Sequence, residues 1–126
     1  MNKERFNQLA ENLLFTSETD APLEYFELST DKSKQWPPST GGQFLSLIGE
    51  DAAMKVEKLA PEKFFGDLRQ GNEDSENQVA ALQKAMTDEM RTLAGFRVGE
   101  IQIQIFVMGQ DNAGKVVGLR TLSVET

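Results

Sequence analysis

The sequence contains no cysteine and no histidine. Without cysteine there is no disulfide framework, no thiolate zinc site and no cysteine nucleophile. Without histidine the usual general base and the commonest transition-metal ligand are missing, so a Ser-His-Asp triad is impossible. Carboxylates, lysine, tyrosine and serine remain for catalysis, which disfavours an enzyme. Long apolar runs are also missing: no stretch approaches the ~20 residues of a membrane span. The opening Met1-Asn2-Lys3-Glu4-Arg5-Phe6 lacks the apolar core of a signal peptide, so a cytoplasmic location is expected. Positive charge is in deficit, with 13 Lys and Arg against 20 Asp and Glu, a net charge of −7. Such a surface repels nucleic acid and anionic membranes and attracts basic partners.

What is present is an ordinary globular composition, 39% apolar and 26% charged over 126 residues. That length implies one domain, residues 1–126, able to bury a core without disulfides or a structural metal. Phe6, Leu9, Ala10, Leu13 and Leu14 recur at helical spacing and predict an amphipathic first helix. The polar stretch from Thr16 to Pro22 reads as a loop, and Leu23–Ser29 as a strand with Phe26 and Leu28 opposite Tyr25. Thr30 to Gly42, with Trp36-Pro37-Pro38 and Gly41-Gly42, reads as a loop. A short helix over Phe44–Ile48 stops at Gly49, and Met54–Leu59 suits a strand. Pro61 opens a helix carrying Phe64, Phe65 and Leu68. After a loop at Gln70–Asp74, Ser75 and Gln78 fit a capping box for a long helix. Its apolar stripe is Val79, Leu82, Met86, Met90 and Leu93, and its expected end is Gly95.

The clearest pattern comes last. Ile101, Ile103, Ile105 and Val107 alternate with Gln102, Gln104, Phe106 and Met108, so one end of this strand is expected to be buried on both faces. After Gln110–Gly114 a second strand, Val116–Val124, runs back as the other arm of a long hairpin. The expected class is α+β, a layered sandwich with a mostly antiparallel sheet ending in a long C-terminal β-hairpin.

Several groups are candidate sites. Gly109–Lys115 fits Gly-x4-Gly-Lys, but Val116 stands where a phosphate loop needs serine or threonine, and strand rather than helix follows, so a plain turn is expected. Glu125 and Thr126 follow the last strand directly. They place a carboxylate and a hydroxyl together, oxygens suited to magnesium or to basic side chains, unless the strand simply finishes there. Glu18 and Asp20 could ligate a cation, capture a basic partner, or remain solvated loop charges. Trp36 is either a binding anchor or a lid folded over the core. Glu73, Asp74 and Glu76 suit a helix N-terminus on dipole grounds.

Four segments, taken together, resemble the nuclease A inhibitor family. They are Leu13-Leu14-Phe15-Thr16-Ser17-Glu18 with Pro22, Glu76-Asn77 with Val79-Ala80 and Gln83-Lys84, Phe96-Arg97-Val98-Gly99-Glu100, and Val124-Glu125-Thr126. The similarity runs nearly end to end, strongest in the first 28 residues and from Glu76 onward. The resemblance implies an α-β-α sandwich and a cytoplasmic inhibitor of a magnesium-dependent, sugar-nonspecific DNA/RNA endonuclease. It implies that Glu18 enters the nuclease active site and that Thr126 binds the catalytic magnesium of the partner. The inhibitor would hold no cofactor of its own and would bind neither nucleic acid nor membrane. Glu125, Asp20 and Trp36 are further contact candidates. One departure stands out: the family pattern has aromatic residues just before the long helix, and Gln70–Ser75 has none. Two other readings accompany this one, a binding module of the same fold with a non-nuclease partner and an enzyme using carboxylates on its own metal.

Overall fold

The alternating run Ile101–Met108 forms most of strand β6 (Gln102–Gln110), which pairs antiparallel with β7 (Val116–Val124) from Gln102↔Val124 to Gln110↔Val116. In this computed structural model, which describes residues 1–126, these strands form the centre of a five-stranded sheet. The order is β3 (Glu24–Glu27), β7, β6, β5 (Arg91–Val98), β4 (Val56–Leu59), and every pairing is antiparallel. One face carries Ile103, Ile105, Val107, Val117 and Leu119 into a core with Phe6, Phe64, Phe65, Leu82 and Met86. Those partners come from helices α1 (Lys3–Ala10), α4 (Pro61–Gly71) and α5 (Glu76–Glu89). The other face carries Phe96, Phe106, Met108 and Val116 into a second core with Trp36, Phe44 and Leu45. Phe44 and Leu45 belong to helix α3 (Gly41–Ile48), and Trp36 follows the short helix α2 (Thr30–Ser33). The α+β sandwich is therefore present, and β6 is buried on both faces at its far end while Gln102 is exposed at its start. No helix is long and apolar enough to cross a membrane.

Where the sequence reading and the structure differ, local capping and strand pairing explain the difference. Helix α1 ends at Ala10, not Leu14, because Asn12 adopts a left-handed φ of 64°. Leu13 is still buried, which is why it matched the helical stripe, whereas Leu14 begins strand β1 (Leu14–Thr16) and is exposed. The supposed polar loop is a small hairpin in which β1 pairs with β2 (Asp20–Pro22), Phe15 opposite Ala21. The Thr30–Gly42 loop contains α2, whose N-cap is Ser29, and its two glycines already belong to the first turn of α3. Gln70 and Gly71 complete α4, and Glu73–Ser75 makes one 3-10 turn.

The capping box at Ser75 does not form. The Gln78 amide instead donates to the carbonyls of Leu9 and Glu11, satisfying acceptors at the end of α1. The long helix stops at Glu89, and Met90 is already extended. Leu93 and Gly95 lie in β5, where Gly95 pairs with Leu59 of β4 and Val107 of β6. A side chain at Gly95 would clash with the Leu59 carbonyl, so glycine here reflects strand contact and not a helix end.

The second core is built on aromatic contacts. Phe44 stacks on Phe96 at 4.1 Å and meets Phe106 edge-on at 5.3 Å, contacts worth about 0.5–1.5 kcal/mol each beyond area burial. Phe106→Ala should therefore lower unfolding free energy by about 3–5 kcal/mol in denaturant titration. A loss under about 1 kcal/mol would show that the second core contributes little.

Candidate functional site

The hairpin β1–β2 carries Glu18 at its turn, and three sets of contacts fix that turn. At its base, Asn72 at the end of α4 donates to the Leu14 carbonyl at 2.8 Å and accepts weakly from its N–H at 3.4 Å. A side chain on Gly71 would come within 3.1 Å of the Thr16 hydroxyl, so the hairpin lies close against α4. At its tip, the Ser17 hydroxyl accepts from the Val124 N–H at 3.0 Å and donates to the Thr19 carbonyl at 3.2 Å. The Glu18 N–H also reaches the Val124 carbonyl at 3.3 Å. The hairpin is thereby fastened to the end of β7.

This fastening brings Glu18 and Thr126 together. The Thr126 hydroxyl donates to Glu18 Oε1 at 2.7 Å, and the Thr126 N–H donates to Oε2 at 2.5 Å. Both carboxylate oxygens thus accept from one residue, 108 positions away in the chain. Glu18 and Thr126 are exposed, so the pair projects from the end of the sheet.

The other candidates have different surroundings. Glu125 lies beside the pair, but its carboxylate accepts from Arg97 at 2.6 Å and from the Ser123 hydroxyl at 2.8 Å. These two donors, Arg97 first, hold its pKa below the ordinary glutamate range. Its N–H donates to the Ile101 carbonyl at 2.9 Å, which joins the β5–β6 turn to the same tip. Asp20 opens β2, is exposed, and borders a cleft of about 730 Å³ with Thr19, Gln102, Gln104 and Arg120. Trp36 is a lid: it is 6% exposed, packs edge-on against Phe44 and Phe96, and donates to the Thr92 carbonyl at 2.9 Å. Thr92 sits at the opposite end of β5 from the tip, so Trp36 is neither presented to a partner nor near Glu18. The Gly109–Lys115 segment is the expected turn, with Asp111 accepting from the N–H groups of Ala113 and Lys115 and the Lys115 ammonium paired to Glu27.

No three carboxylates converge anywhere as a metal site. The tip offers one carboxylate and one hydroxyl, hard oxygens that suit magnesium but fill only part of its octahedral shell. Ser17, Asn72 and Arg97, which position the tip, carry no signal in local spacing. Ser17 and Arg97 lie within resemblance segments, while Asn72 lies outside all of them.

The Glu18 carboxyl is held below the ordinary glutamate range, first by the Thr126 hydroxyl and then by its N–H, against opposing desolvation and the charge of Glu125. A carboxylate with a depressed folded-state pKa keeps its bonds at neutral pH and loses them as pH falls through that lowered value. In an NMR titration the Thr126 amide should therefore shift with a midpoint below that of a free glutamate. A midpoint at the ordinary value would show that Glu18 does not hold Thr126.

The family model described as nuclease A inhibitor-like protein matches residues 2–126. No curated protein matches the chain. The family match spans all the elements that build the tip: the chain belongs to the nuclease A inhibitor-like proteins.

Proposed function

We propose that the chain inhibits a magnesium-dependent, sugar-nonspecific DNA/RNA endonuclease, and that the Glu18–Thr126 pair enters its active site. The observation that carries the reading is the 2.7 Å bond from the Thr126 hydroxyl to Glu18. A hydroxyl that gives its proton to a carboxylate keeps its lone pairs free for a cation and becomes a better donor to it. A nuclease cleft must be positive to hold a phosphate backbone. Its magnesium polarises a phosphoryl oxygen and balances developing charge. Glu18 and Thr126 present oxygen donors where the scissile phosphate would lie, with no bond that the nuclease can cleave. The chain's net charge of −7 favours encounter with such a cleft. An inhibitor of this kind needs no catalytic group, which accords with the absent histidine and cysteine.

Further carboxylates lie near the pair in the fold: Asp20 follows Glu18 by two residues on the same hairpin, and Glu100 is in the turn whose Ile101 carbonyl binds Glu125. The exposed large apolar residues are Leu14 at the base of the hairpin and Ile101 beside Glu125. A tight complex still requires an ordinary interface of roughly 1,600 Å² in total, so these flanks must contribute.

A second reading is a binding module of the same fold with a non-nuclease partner. It is favoured by one specific observation: Gln70–Ser75 carries no aromatic residue and Trp36 is buried, so the tip has no aromatic anchor.

The test is inhibition of a purified magnesium-dependent nonspecific nuclease from the same genome. Glu18→Ala and Thr126→Val should each weaken inhibition about thirtyfold or more, as central interface residues do. Their thermal midpoints should stay close to that of the parent, because both side chains are exposed. Unchanged potency of both variants would remove the tip from the mechanism. Retained capture of a non-nuclease protein by Thr126→Val would favour the module.

A further inference from the structure

Strands β6 and β7 are covered unevenly on the side of the aromatic core. Phe106 and Met108 are buried in that core, whereas Gln102 and Gln104, which share their face by alternation, are exposed and half-buried. On β7 the same face carries Arg120 and Leu122, opposite Phe106 and Gln104. This open end of the face is the floor of the cleft of about 730 Å³. Hairpin β1–β2 forms one wall through Asp20 and Pro22, and Met54, just before β4, lines another. The Thr121 hydroxyl donates to the Pro22 carbonyl at 2.9 Å and ties that wall to β7. Thr19 also lines the cleft and adjoins Glu18, so the cleft opens beside the tip.

The charges of the cleft are unevenly paired. Arg120 donates to Glu24 at 2.9 Å and lies over the Phe26 ring at 5.0 Å, which balances its charge and holds it in place. It pairs with Glu24 and not with Asp20, which is left without a cation of its own. The Gln104 amide nitrogen donates to Glu50 at 3.5 Å, so its amide oxygen is free to accept. The cleft therefore combines an unpaired carboxylate and an amide acceptor with apolar surface from Pro22, Met54 and Leu122. That combination suits a planar cation on an apolar stem: a guanidinium takes a carboxylate in a bidentate pair while its methylenes lie on apolar surface. A compact ammonium would satisfy Asp20 but offers no such fork. The volume falls in the usual range for ligand sites, roughly 300–1,000 Å³, and admits a side chain with part of the loop that bears it.

We propose that this cleft is a guanidinium subsite that takes an arginine side chain of the protein whose active site receives Glu18 and Thr126. The identity of that protein rests on the reading given above, but affinity for a guanidinium belongs to the free chain. Arginine is a common phosphate ligand, so a surface that holds a phosphate backbone supplies the occupant. The hairpin is fastened to β7 at Val124 and at Thr121, which fixes the cleft relative to the tip. An arginine is then accepted only at a matching distance from the metal, which makes the cleft a determinant of partner choice.

The experiment has two arms. In the first, the free chain is titrated with N-acetylarginine methylamide and followed by NMR. Saturable shifts in the millimolar range should centre on the Asp20 backbone and the Gln102 and Gln104 side-chain amides. The uncharged citrulline analogue and the lysine analogue should each bind at least about threefold more weakly, and Asp20→Asn should weaken the arginine probe by a similar factor. Glu62→Gln, which removes one exposed charge on α4, and Glu18→Ala should leave probe binding unchanged. If Asp20→Asn does not fold, Gln104→Leu takes its place with the same expectation. Absence of saturable shifts in the cleft, equal binding of the citrulline analogue, or an equal loss in Glu62→Gln would overturn the proposal. In the second arm, Asp20→Asn should weaken inhibition of the nuclease about tenfold and Asp20→Arg further. Unchanged inhibition by both variants would remove the partner's arginine from the cleft and overturn the proposal as well. Should the parent inhibit no nuclease, the first arm still decides whether the cleft binds a guanidinium, so the two failures remain distinct.

Discussion

The antiparallel pairing of β6 with β7 is the constraint on which the remainder depends. These two strands supply apolar side chains to both cores, and helices α1, α3, α4 and α5 pack against the faces that they define. Burial on both faces removes the freedom a half-exposed hairpin would have, since slippage by one residue would exchange the two sets of side chains. Ile103, Ile105 and Val107 suit the helical side, while Phe106 and Met108 suit the aromatic side. Gly118 reinforces this, because a Cβ there would clash with the Val107 carbonyl.

The tip inherits its order from that pairing. Ser17 and Glu18 fasten the small hairpin to Val124, Asn72 fastens its base to α4, and Arg97 fastens Glu125 across the sheet. Each contact is modest alone, since net hydrogen-bond contributions are about 1 kcal/mol. Together they approach the tip from three different elements, which restricts its orientation more than three contacts from one element would. Preorganisation of this kind lowers the ordering cost on binding.

The sequence disclosed the sheet centre most clearly, because strict alternation with a change from polar to apolar can be met by few structures. Ile101–Met108 gave the strand, its two burial environments and its hairpin partner. It disclosed α5 but misplaced its end, because Leu93 continues the helical period by coincidence, and only the pairing of Arg91 and of Ala94–Val98 on either side of it shows that it belongs to a strand. The hairpin around Glu18 was hidden for another reason: its strands are three residues each, too short to show alternation. Trp36 could be read as anchor or lid until the carbonyl of Thr92 was seen to satisfy its indole. Glu18 and Thr126 were each legible as a candidate, but only the resemblance joined them, since no local pattern links residues 108 apart. Arg97 and Asn72 act through contacts that cross elements, and composition and spacing contain no record of such contacts.

The turn at Asp111–Gly114 lies at the other end of the β6–β7 hairpin from Glu18, yet it meters the tip. Its Asp111 side chain gathers two backbone N–H groups, and Gly114 takes a left-handed φ of 82°. This geometry sets where β7 begins opposite β6, and hence how far β7 extends at its other end. A two-residue slip would keep every face correct but move Thr126 by roughly 7 Å, beyond reach of Glu18. The turn is thus a ruler for a distance it never touches, and its length sets the reach of the hydroxyl.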